Sequence, residues 1–173
     1  MNVLELFGKV RIFIFDMDGV LTDGTLQVLD DGLFARRMNI KDGYALQLAV
    51  KKEYPVIVVS GSNSPEVSSR LAKLGIAEVY MQITDKRSFL TDYFTARSMN
   101  WSSVLYMGDD LPDLSSMVEA LIPCCPQDAS HDIKKISRYI SPFKGGNGCV
   151  RDVIEKVLLL NGDWDADLKI AAK

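Results

Sequence analysis

The stretch that most constrains the fold is RIFIFDMDGVLTD, residues 11–23. Residues 11–15 are nearly all apolar and rich in Ile and Phe, which is typical of a strand buried on both faces. Two carboxylates, Asp16 and Asp18, follow at once, and Gly19 breaks the extended run as a turn requires. A buried strand that ends in two acids fits an active site at the carboxyl edge of a parallel sheet, although an acidic turn without chemistry has the same pattern.

The composition is that of an ordinary globular protein. Its 173 residues are enough for one domain, predicted over residues 1–162 and followed by a C-terminal tail over 163–173. A net charge of −3 without a basic run disfavours nucleic-acid binding, and we find neither a membrane-spanning segment nor a signal peptide. Cys124, Cys125 and Cys149 lack metal-site spacing, so we expect reduced thiols and a cytoplasmic location.

The order of apolar and amphipathic segments predicts the fold class. Strands that alternate with helices are typical of an α/β chain, here a Rossmann-like three-layer sandwich with a central parallel sheet. Asp31-Gly32 lies between two alternating runs, 25–28 and 34–38, and predicts a small β-hairpin. Asp42 is a plausible N-cap for a helix over 43–52. The remaining predicted helices cover 2–8, 65–74, 86–96, 112–118, 129–136 and 150–160, and the remaining strands cover 56–59, 78–81, part of 101–107, 120–123 and 139–140.

Polar side chains collect where the predicted strands end. Ser60 follows the strand at 56–59, and Asp109, Asp110 and Asp113 follow the strand within 101–107. Because the carboxyl ends of parallel strands share one edge of a sheet, these acids would meet Asp16 and Asp18 there, and they would repel one another unless a cation lay among them. Oxygen ligands without His or Cys favour Mg²⁺ over zinc. Lys86, one position after the predicted N-cap Asp85, is placed to reach the same edge.

A metal ion, carboxylates, a serine hydroxyl and a lysine together suit phosphoryl transfer. The metal and the lysine neutralise charge on the transferring group. One carboxylate can act as a nucleophile and form an aspartyl-phosphate, and a second can serve as acid and then as base. Taken singly, Ser60 is as well explained as a turn residue and Lys86 as a solvated helix lysine.

The motifs that carry these residues resemble those of the haloacid dehalogenase (HAD) superfamily of phosphatases. DMDGVLTD is similar to the first motif, DxDGxxT/V, and Ser60, Lys86 and GDDLPD at 108–113 occur in the order of the other three. The resemblance implies a HAD-like fold in which Asp16 is the nucleophile and Asp18 is the acid and base.

The same resemblance implies roles for the other motif residues. Ser60 and Lys86 would hold the phosphoryl group. Mg²⁺ would be bound by the carboxylates of Asp16 and Asp109 and by the backbone carbonyl of Asp18. Asp113 would orient Lys86 or a water at the metal. Asp110 is either a supporting residue beside the metal or a spacer.

The segments between the motifs are too short for the cap domain that many HAD phosphatases carry. The pattern DGxLxxxDDG, followed by NIKDGYAL, RLAKLGI and FKGGNGCVRDVIEKVL, resembles the 3-deoxy-D-manno-octulosonate 8-phosphate phosphatases and the related phosphatases of nine-carbon 2-keto-3-deoxy acids. Members are generally homotetramers assembled through the hairpin, and a segment of a neighbouring subunit closes the site. The resemblance implies a sugar acid phosphate as substrate and makes residues 144–151 the candidate closing segment.

Several residues are candidates for contact with the sugar acid: Thr22, Asp42, Gly61, Ser62, Arg70, Lys144 and Arg151. One of them departs from the family pattern. The octulosonate enzymes usually have Gly-Arg after the residue of the second motif, and the nine-carbon enzymes can have Gly-Glu, whereas this chain has Gly61-Ser62. The substrate therefore stays open between eight- and nine-carbon acids. Two other classes also stay open, a signalling receiver and a non-catalytic assembly module with the same fold.

Overall fold

The fold is described from a computed structural model, whose described residues are 2–30 and 32–165. Its strands are β1 (Ile12–Phe15), β2 (Gln27–Val28), β3 (Phe34–Ala35), β4 (Val56–Val59), β5 (Glu78–Tyr80), β6 (Val104–Met107), β7 (Ile122–Cys125) and β8 (Tyr139–Ile140). Its helices are α1 (Val3–Phe7), α2 (Ile40–Lys51), α3 (Pro65–Lys73), α4 (Lys86–Ala96), α5 (Leu111–Met117), α6 (His131–Ile136) and α7 (Cys149–Asn161).

Six parallel strands form the central sheet in the order β5-β4-β1-β6-β7-β8. Every residue of β1 is buried, as its apolar sequence predicts. Phe13 and Phe15 face a core shared with α2, α3 and α7, and Ile12 and Ile14 face a second core shared with α4, α5 and α6. Because side chains alternate across a strand, this arrangement gives three layers, and the predicted α/β fold class is confirmed.

The start of α2 differs from the prediction. The helix begins at Ile40, and its N-cap is Asn39, whose Oδ1 accepts a hydrogen bond from the Lys41 amide at 2.8 Å. The prediction of Asp42 as the N-cap was wrong, since Asp42 already lies within the first turn. Asn and Asp are about equally good N-caps, and the sequence offers both within four positions.

One strand is shifted by two residues, and another occupies the second part of its predicted range. The strand predicted at 120–123 is β7, Ile122–Cys125, because residue 120 still closes a turn after α5, where the Ala120 amide donates to the Met117 carbonyl at 3.1 Å. The strand within 101–107 begins at Val104, after a single helical turn over Trp101–Ser103. The shift of β7 moves the end of that strand from residue 123 to residue 125.

The hairpin forms with shorter strands than predicted. Only β2 and β3 pair, through Gln27 with Ala35 and Val28 with Phe34, and one isolated antiparallel bridge joins Thr22 to Met38. The predicted turn includes Asp31, which lies outside the described residues. Among the described residues, the elements between the first three motifs are the hairpin, α2, β4, α3 and β5, in agreement with the absence of a cap.

The C-terminal helix ends at Asn161, and Gly162 at φ +76° stops it. Residues 163–165 return to the body: the Tyr54 hydroxyl donates to Asp163 at 2.7 Å, and the Trp164 ring meets the edge of Tyr44. The boundary between domain and tail at residue 162 stays a prediction. The rest of the predicted tail, 166–173, lies outside the described residues.

Within the described ranges, none of the helices has both the length and the apolar character needed to cross a bilayer.

Candidate active site

Three carboxylates meet at the carboxyl edge of the sheet. Asp16 follows β1 and Asp109 follows β6, and the Asp16 amide donates to the Met107 carbonyl at 3.0 Å, which joins the two strand ends. Asp113 lies in the first turn of α5 and faces the same point. One oxygen of each of these three carboxylates lies within 4.8 Å of the others. Three of the five acids predicted at this edge, Asp16, Asp109 and Asp113, therefore form one cluster.

Lys86 supplies positive charge to this cluster. It is the first residue of α4, whose N-cap Asp85 accepts a hydrogen bond from the Ser88 amide at 2.9 Å, as predicted. The Lys86 ammonium is buried, with Nζ 2.6 Å from Asp16 Oδ1 and 2.7 Å from Asp113 Oδ1. Since a buried ammonium needs compensating charge, the two carboxylates fix it at the wall of the site.

Asp113 is held from several sides. The hydroxyl of Tyr106, on β6, donates to Asp113 Oδ1 at 2.8 Å, and the Asp109 amide donates to Oδ2 at 3.3 Å. Gly108 makes room for it, since a Cβ at Gly108 would lie 2.5 Å from the Asp113 Cβ. Both oxygens of Asp113 thus accept hydrogen bonds from protein groups, and one of these is from Lys86.

Burial and like charge disfavour ionisation of these acids. Burial raises the pKa of Asp109 to about 8, with the charges of Asp16, Asp113 and Asp110 adding to the effect. Burial also raises the pKa of Asp16 to about 6, where the charge of Asp113 adds to the shift and Lys86 opposes it. For Lys86, burial alone would lower the pKa, but Asp113 and Asp16 outweigh it and the pKa is raised.

This donor set fits a hard divalent cation. Three carboxylates share the single charge of Lys86, and the acids whose pKa is raised are those that a further cation would stabilise in the ionised form. Gly19 leaves the necessary space, because a Cβ there would lie 2.1 Å from Asp109 Oδ2. Its φ of +86° also requires glycine. The residues present can therefore hold Mg²⁺ between Asp16 and Asp109.

Asp18 lies outside the acid cluster, although it is two residues from Asp16. Its Oδ1 accepts a hydrogen bond from Arg36 Nε at 2.7 Å, and its Oδ2 accepts one from the Ser62 hydroxyl at 2.5 Å. The Ser62 hydroxyl in turn lies 3.1 Å from that of Ser60, at the end of β4. The predicted metal contact of Asp18 uses its backbone carbonyl and does not need this carboxylate.

The acids, Lys86 and the two serine side chains described above line one open cavity of about 470 Å³. The four residues predicted as catalytic line it, as do the supporting residues Asp110 and Asp113. Asp110 itself is exposed, at the N-terminus of α5. The lining residues are Asp16, Asp18, Gly24, Ser60, Gly61, Ser62, Ile83, Thr84, Lys86, Asp109, Asp110, Pro112 and Asp113.

The glycine-rich segment after β8 supports the nucleophile loop of its own chain. The Gly146 amide donates to the Val20 carbonyl at 2.9 Å, and a Cβ at Gly145 would lie 1.9 Å from the Gly19 carbonyl oxygen. We expected residues 144–151 to close a neighbouring subunit's site. The backbone of the segment is packed against residues 19–23 of the same chain, and Lys144 is exposed. The closure of a neighbouring subunit's site by this segment stays a prediction.

Two of the predicted sugar contacts are buried and serve the backbone. Thr22 is fully buried, and its Oγ1 accepts hydrogen bonds from the amides of Gly19 and Gly24, both at 3.3 Å. Asp42 is 2% exposed, and its two oxygens accept from the amides of Gly148 at 3.2 Å and Arg151 at 2.7 Å. Asp42 therefore binds the N-terminus of α7 and lies apart from the cavity.

The predicted cationic sugar contacts also lie away from the acid cluster. Arg70 lines a separate groove between α3 and the hairpin. Arg151 pairs with Glu155, Nε to Oε2 at 3.0 Å, and its guanidinium lies over the rings of Tyr44 and Trp164. Of the seven candidate sugar contacts, Gly61 and Ser62 line the catalytic cavity, and Arg70, Lys144 and Arg151 do not.

Two residues of the site were not found from the sequence. Arg36 belongs to an ordinary basic pair after β3, yet only 6% of its side chain is exposed. Tyr106 belongs to an apolar strand and gives no signal of its hydrogen bond to Asp113. Both contacts depend on tertiary packing, so no local pattern predicts them.

Comparison with known proteins identifies the class. No family model matches the chain. Among solved structures, one from Legionella pneumophila, assigned to HAD superfamily subfamily III A hydrolases, superposes with a TM-score of 0.88 at 28% identity, covering 92% of this chain and 87% of that one. With the acid cluster, the fold defines a hydrolase of the HAD superfamily, of the phosphoric monoester type.

Closer relatives identify the family. The 3-deoxy-D-manno-octulosonate 8-phosphate phosphatase of Escherichia coli (strain K12) is 30% identical over 164 residues, which cover 95% of this chain and 87% of that protein. The phosphatase of the same name from Moraxella catarrhalis, solved in complex with a magnesium ion, a phosphate ion and KDO, superposes with a TM-score of 0.89 at 29% identity and covers 95% of this chain and 94% of that one. The chain belongs to the family of 3-deoxy-D-manno-octulosonate 8-phosphate phosphatases.

Proposed function

We propose that the chain is a Mg²⁺-dependent phosphomonoesterase that releases phosphate from a sugar acid phosphate through an aspartyl-phosphate. The observation that carries the proposal is the buried pairing of Asp16 with Lys86, next to Asp109 and on the wall of an open cavity. The carboxylates of Asp16 and Asp109 and the carbonyl of Asp18 would hold Mg²⁺, which would neutralise charge on the transferring phosphoryl group.

The protein's own residues divide the reaction among them. Asp16 attacks phosphorus, and Lys86 and the Ser60 hydroxyl hold the phosphoryl oxygens. Asp18 gives a proton to the departing sugar oxygen and then takes one from the water that hydrolyses the aspartyl-phosphate. Asp113 holds Lys86 in place through its 2.7 Å contact. Asp110, which is exposed, contributes negative charge near Asp109.

The preferred substrate is 3-deoxy-D-manno-octulosonate 8-phosphate, which the family relatives act on by name. A nine-carbon acid phosphate is the second candidate, because Ser62 lacks the charge that both kinds of enzyme place at this position. Gly61 and Ser62 are the sugar contacts that the cavity favours. Arg70 lies in a separate groove of its own chain. It can contact the sugar acid only if the assembly places it beside the cavity of a neighbouring subunit.

Assembly is part of the same proposal. Four apolar residues of the hairpin are at least half exposed, Leu26, Val28, Leu33 and Phe34. Such a surface suits burial between subunits, and we propose a homotetramer in which the hairpins meet and cover the open site. We also propose a cytoplasmic location, since Cys124, Cys125 and Cys149 are free and buried.

A phosphate-release screen tests the proposed function. The purified protein is incubated with Mg²⁺, or with EDTA, and with eight- and nine-carbon 2-keto-3-deoxy acid phosphates and common hexose phosphates. We expect Mg²⁺-dependent release, with the highest kcat/KM for one of the two sugar acid phosphates. A clear preference for hexose phosphates would reject the substrate class, and no release from any ester would favour the non-catalytic assembly module.

A further inference from the structure

The carboxylate of Asp18 is held on two sides by side chains outside the HAD motifs. The guanidinium of Arg36 spans both oxygens, with Nε 2.7 Å from Oδ1 and Nη2 3.4 Å from Oδ2. The Ser62 hydroxyl donates to Oδ2 at 2.5 Å. Thr22 makes a longer contact, Oγ1 to Oδ1 at 3.4 Å. A bidentate guanidinium fixes the plane of a carboxylate as well as its position.

The environments of the two interacting side chains differ from that of an ordinary surface pair. The Arg36 side chain is 6% exposed, whereas that of Asp18 is 34% exposed toward the cavity. The cation is therefore buried behind the carboxylate and leaves the cavity side of Asp18 open. Surface ion pairs contribute little and rearrange freely, but a buried arginine with bidentate geometry gives a defined orientation.

The two acids of the first motif thus have different interaction partners. Asp16 contacts Lys86 and lies in the acid cluster, whereas Asp18 contacts Arg36 and Ser62. Arg36 is contributed by the hairpin arm just after β3, and Ser62 by the loop after β4. Neither residue has been given a part in the reaction by the motifs.

We propose that Arg36 and Ser62 are positioning residues that orient the Asp18 carboxyl group for proton transfer to the leaving group. The inference rests on the proposed function. As the bond from phosphorus to the ester oxygen breaks and the bond to Asp16 forms, the proton of Asp18 passes to the departing oxygen. General acid catalysis needs this geometry to be correct before the bond breaks. Ser62 thereby acts on the acid at a position where the resembling enzymes carry a charged residue.

Leaving-group dependence tests this role without involving sugar contacts. Benzyl phosphate and p-nitrophenyl phosphate are similar in size, but benzyl alkoxide is a far stronger base than p-nitrophenolate and needs the proton more. The readout is the ratio of kcat/KM for benzyl phosphate to kcat/KM for p-nitrophenyl phosphate, since kcat/KM reports the steps up to departure of the leaving group. The change in this ratio for Asp18→Asn gives the effect of losing the proton donor entirely.

Arg36→Met keeps the aliphatic stem and removes the guanidinium, and Ser62→Ala removes only the hydroxyl. We expect each to lower the ratio about tenfold, less than the roughly 10²- to 10⁴-fold contribution of general acid catalysis, because Asp18 stays present and loses only part of its support. Arg36→Lys should recover part of the ratio. Arg37→Met is the matched control, because the Arg37 side chain is 89% exposed and lies 3.9 Å from Asp23, and its ratio should equal that of the wild type.

A second readout separates positioning from folding. In an Asp18→Asn background, Arg36→Met should lower the ratio no further, because both changes act through one group. A crystal structure of the Arg36→Met, Ser62→Ala double variant should show the Asp18 carboxylate displaced or in several orientations. Equal losses for the two esters, or an unmoved Asp18 in the double variant, would overturn the inference while the proposed function stands. No Mg²⁺-dependent hydrolysis of either ester by the wild type would overturn both.

Discussion

Asp16 and Asp18 are separated by one methionine and differ in every interaction of their side chains. Asp16 is 7% exposed and in contact with the Lys86 ammonium, beside two further carboxylates. Asp18 is half-buried and contacts a guanidinium and a hydroxyl. Two acids with unequal environments can take unequal roles, one as nucleophile and one as proton donor.

The raised pKa values of the acid cluster predict that Mg²⁺ binding depends on pH. In the metal-free protein, pKa values of about 8 for Asp109 and about 6 for Asp16 mean that the carboxyls hold protons that Mg²⁺ must displace. Affinity should therefore weaken as the pH falls from 8 to 6, by at least about tenfold. Isothermal titration calorimetry in buffers of different ionisation enthalpy measures both the Kd and the protons released.

Asp109→Asn is the control for this titration. It should bind Mg²⁺ more weakly at every pH and should lose most of the dependence on pH, because the group with the most strongly raised pKa is gone. A wild-type Kd that stays constant between pH 6 and pH 8 would show that Mg²⁺ does not displace protons from these carboxyl groups.

At the scale of residues, the sequence predicted the motif positions but not the contacts between distant segments. The placement of Asp16, Ser60 and Asp109 follows from strand ends and that of Lys86 from a helix start, and each lies within two residues of an element boundary. The pairing of Arg36 with Asp18 could not be predicted, since it depends on how the hairpin folds back over the first loop. Asp42 was misassigned for the same reason, because its hydrogen-bond partners lie more than 100 residues away.

At the scale of elements, α7 begins with a cap from another helix. Gly148, its N-cap residue, has no side chain to offer, and the carboxylate of Asp42 on α2 accepts from the amides of Gly148 and Arg151 instead. Burial raises the pKa of Asp42 to about 6, partly offset by these two amides. The start of α7 and the adjoining glycine segment are thereby tied to α2.

Asp42→Ala should destabilise the protein by about 2 kcal/mol, because it removes a helix cap and leaves two amides without a partner. Urea unfolding followed by circular dichroism measures the change. The comparison is Asp132→Ala, which removes an exposed acid in the first turn of α6 and should change the free energy of unfolding by less than about 0.5 kcal/mol. Equal stability of Asp42→Ala and the wild type would show that the cap makes no net contribution.

The positions of strands were predicted correctly where a continuous apolar run forms a strand that is buried along its whole length. IFIF and VIVV are continuous apolar runs that form β1 and β4 as expected. The hairpin strands were overestimated, since alternation extends the pattern while only two residues on each side pair. β7 was misplaced because Cys124 and Cys125 act as small apolar strand residues, which composition does not reveal.

At the scale of the molecule, the exposed apolar hairpin predicts that substitutions there separate the subunits while each chain stays folded. A Val28→Glu, Phe34→Glu variant places charge on residues that are 70% and 52% exposed in the single chain. We expect the wild type to have four times the 19.2 kDa mass of the chain and the variant to approach the single-chain mass in light scattering after gel filtration. Burying an unpaired charge at an interface costs more than the apolar contact gains.

Leu4→Glu provides the comparison, because Leu4 is 50% exposed on α1, away from the hairpin. Its mass should match that of the wild type. If the Val28→Glu, Phe34→Glu variant has the same mass as the wild type, the hairpin surface does not hold the subunits together.

If Asp16 is the nucleophile of a Mg²⁺-dependent phosphatase, as we propose, its amide variant cannot form the aspartyl-phosphate. Phosphate release from 3-deoxy-D-manno-octulosonate 8-phosphate is measured with Mg²⁺ for the wild type, Asp16→Asn and the exposed control Asp92→Asn, with thermal melting to confirm folding. We expect Asp16→Asn to stay folded and to release no measurable phosphate, while Asp92→Asn matches the wild type. Turnover by Asp16→Asn at the wild-type rate would contradict this proposal.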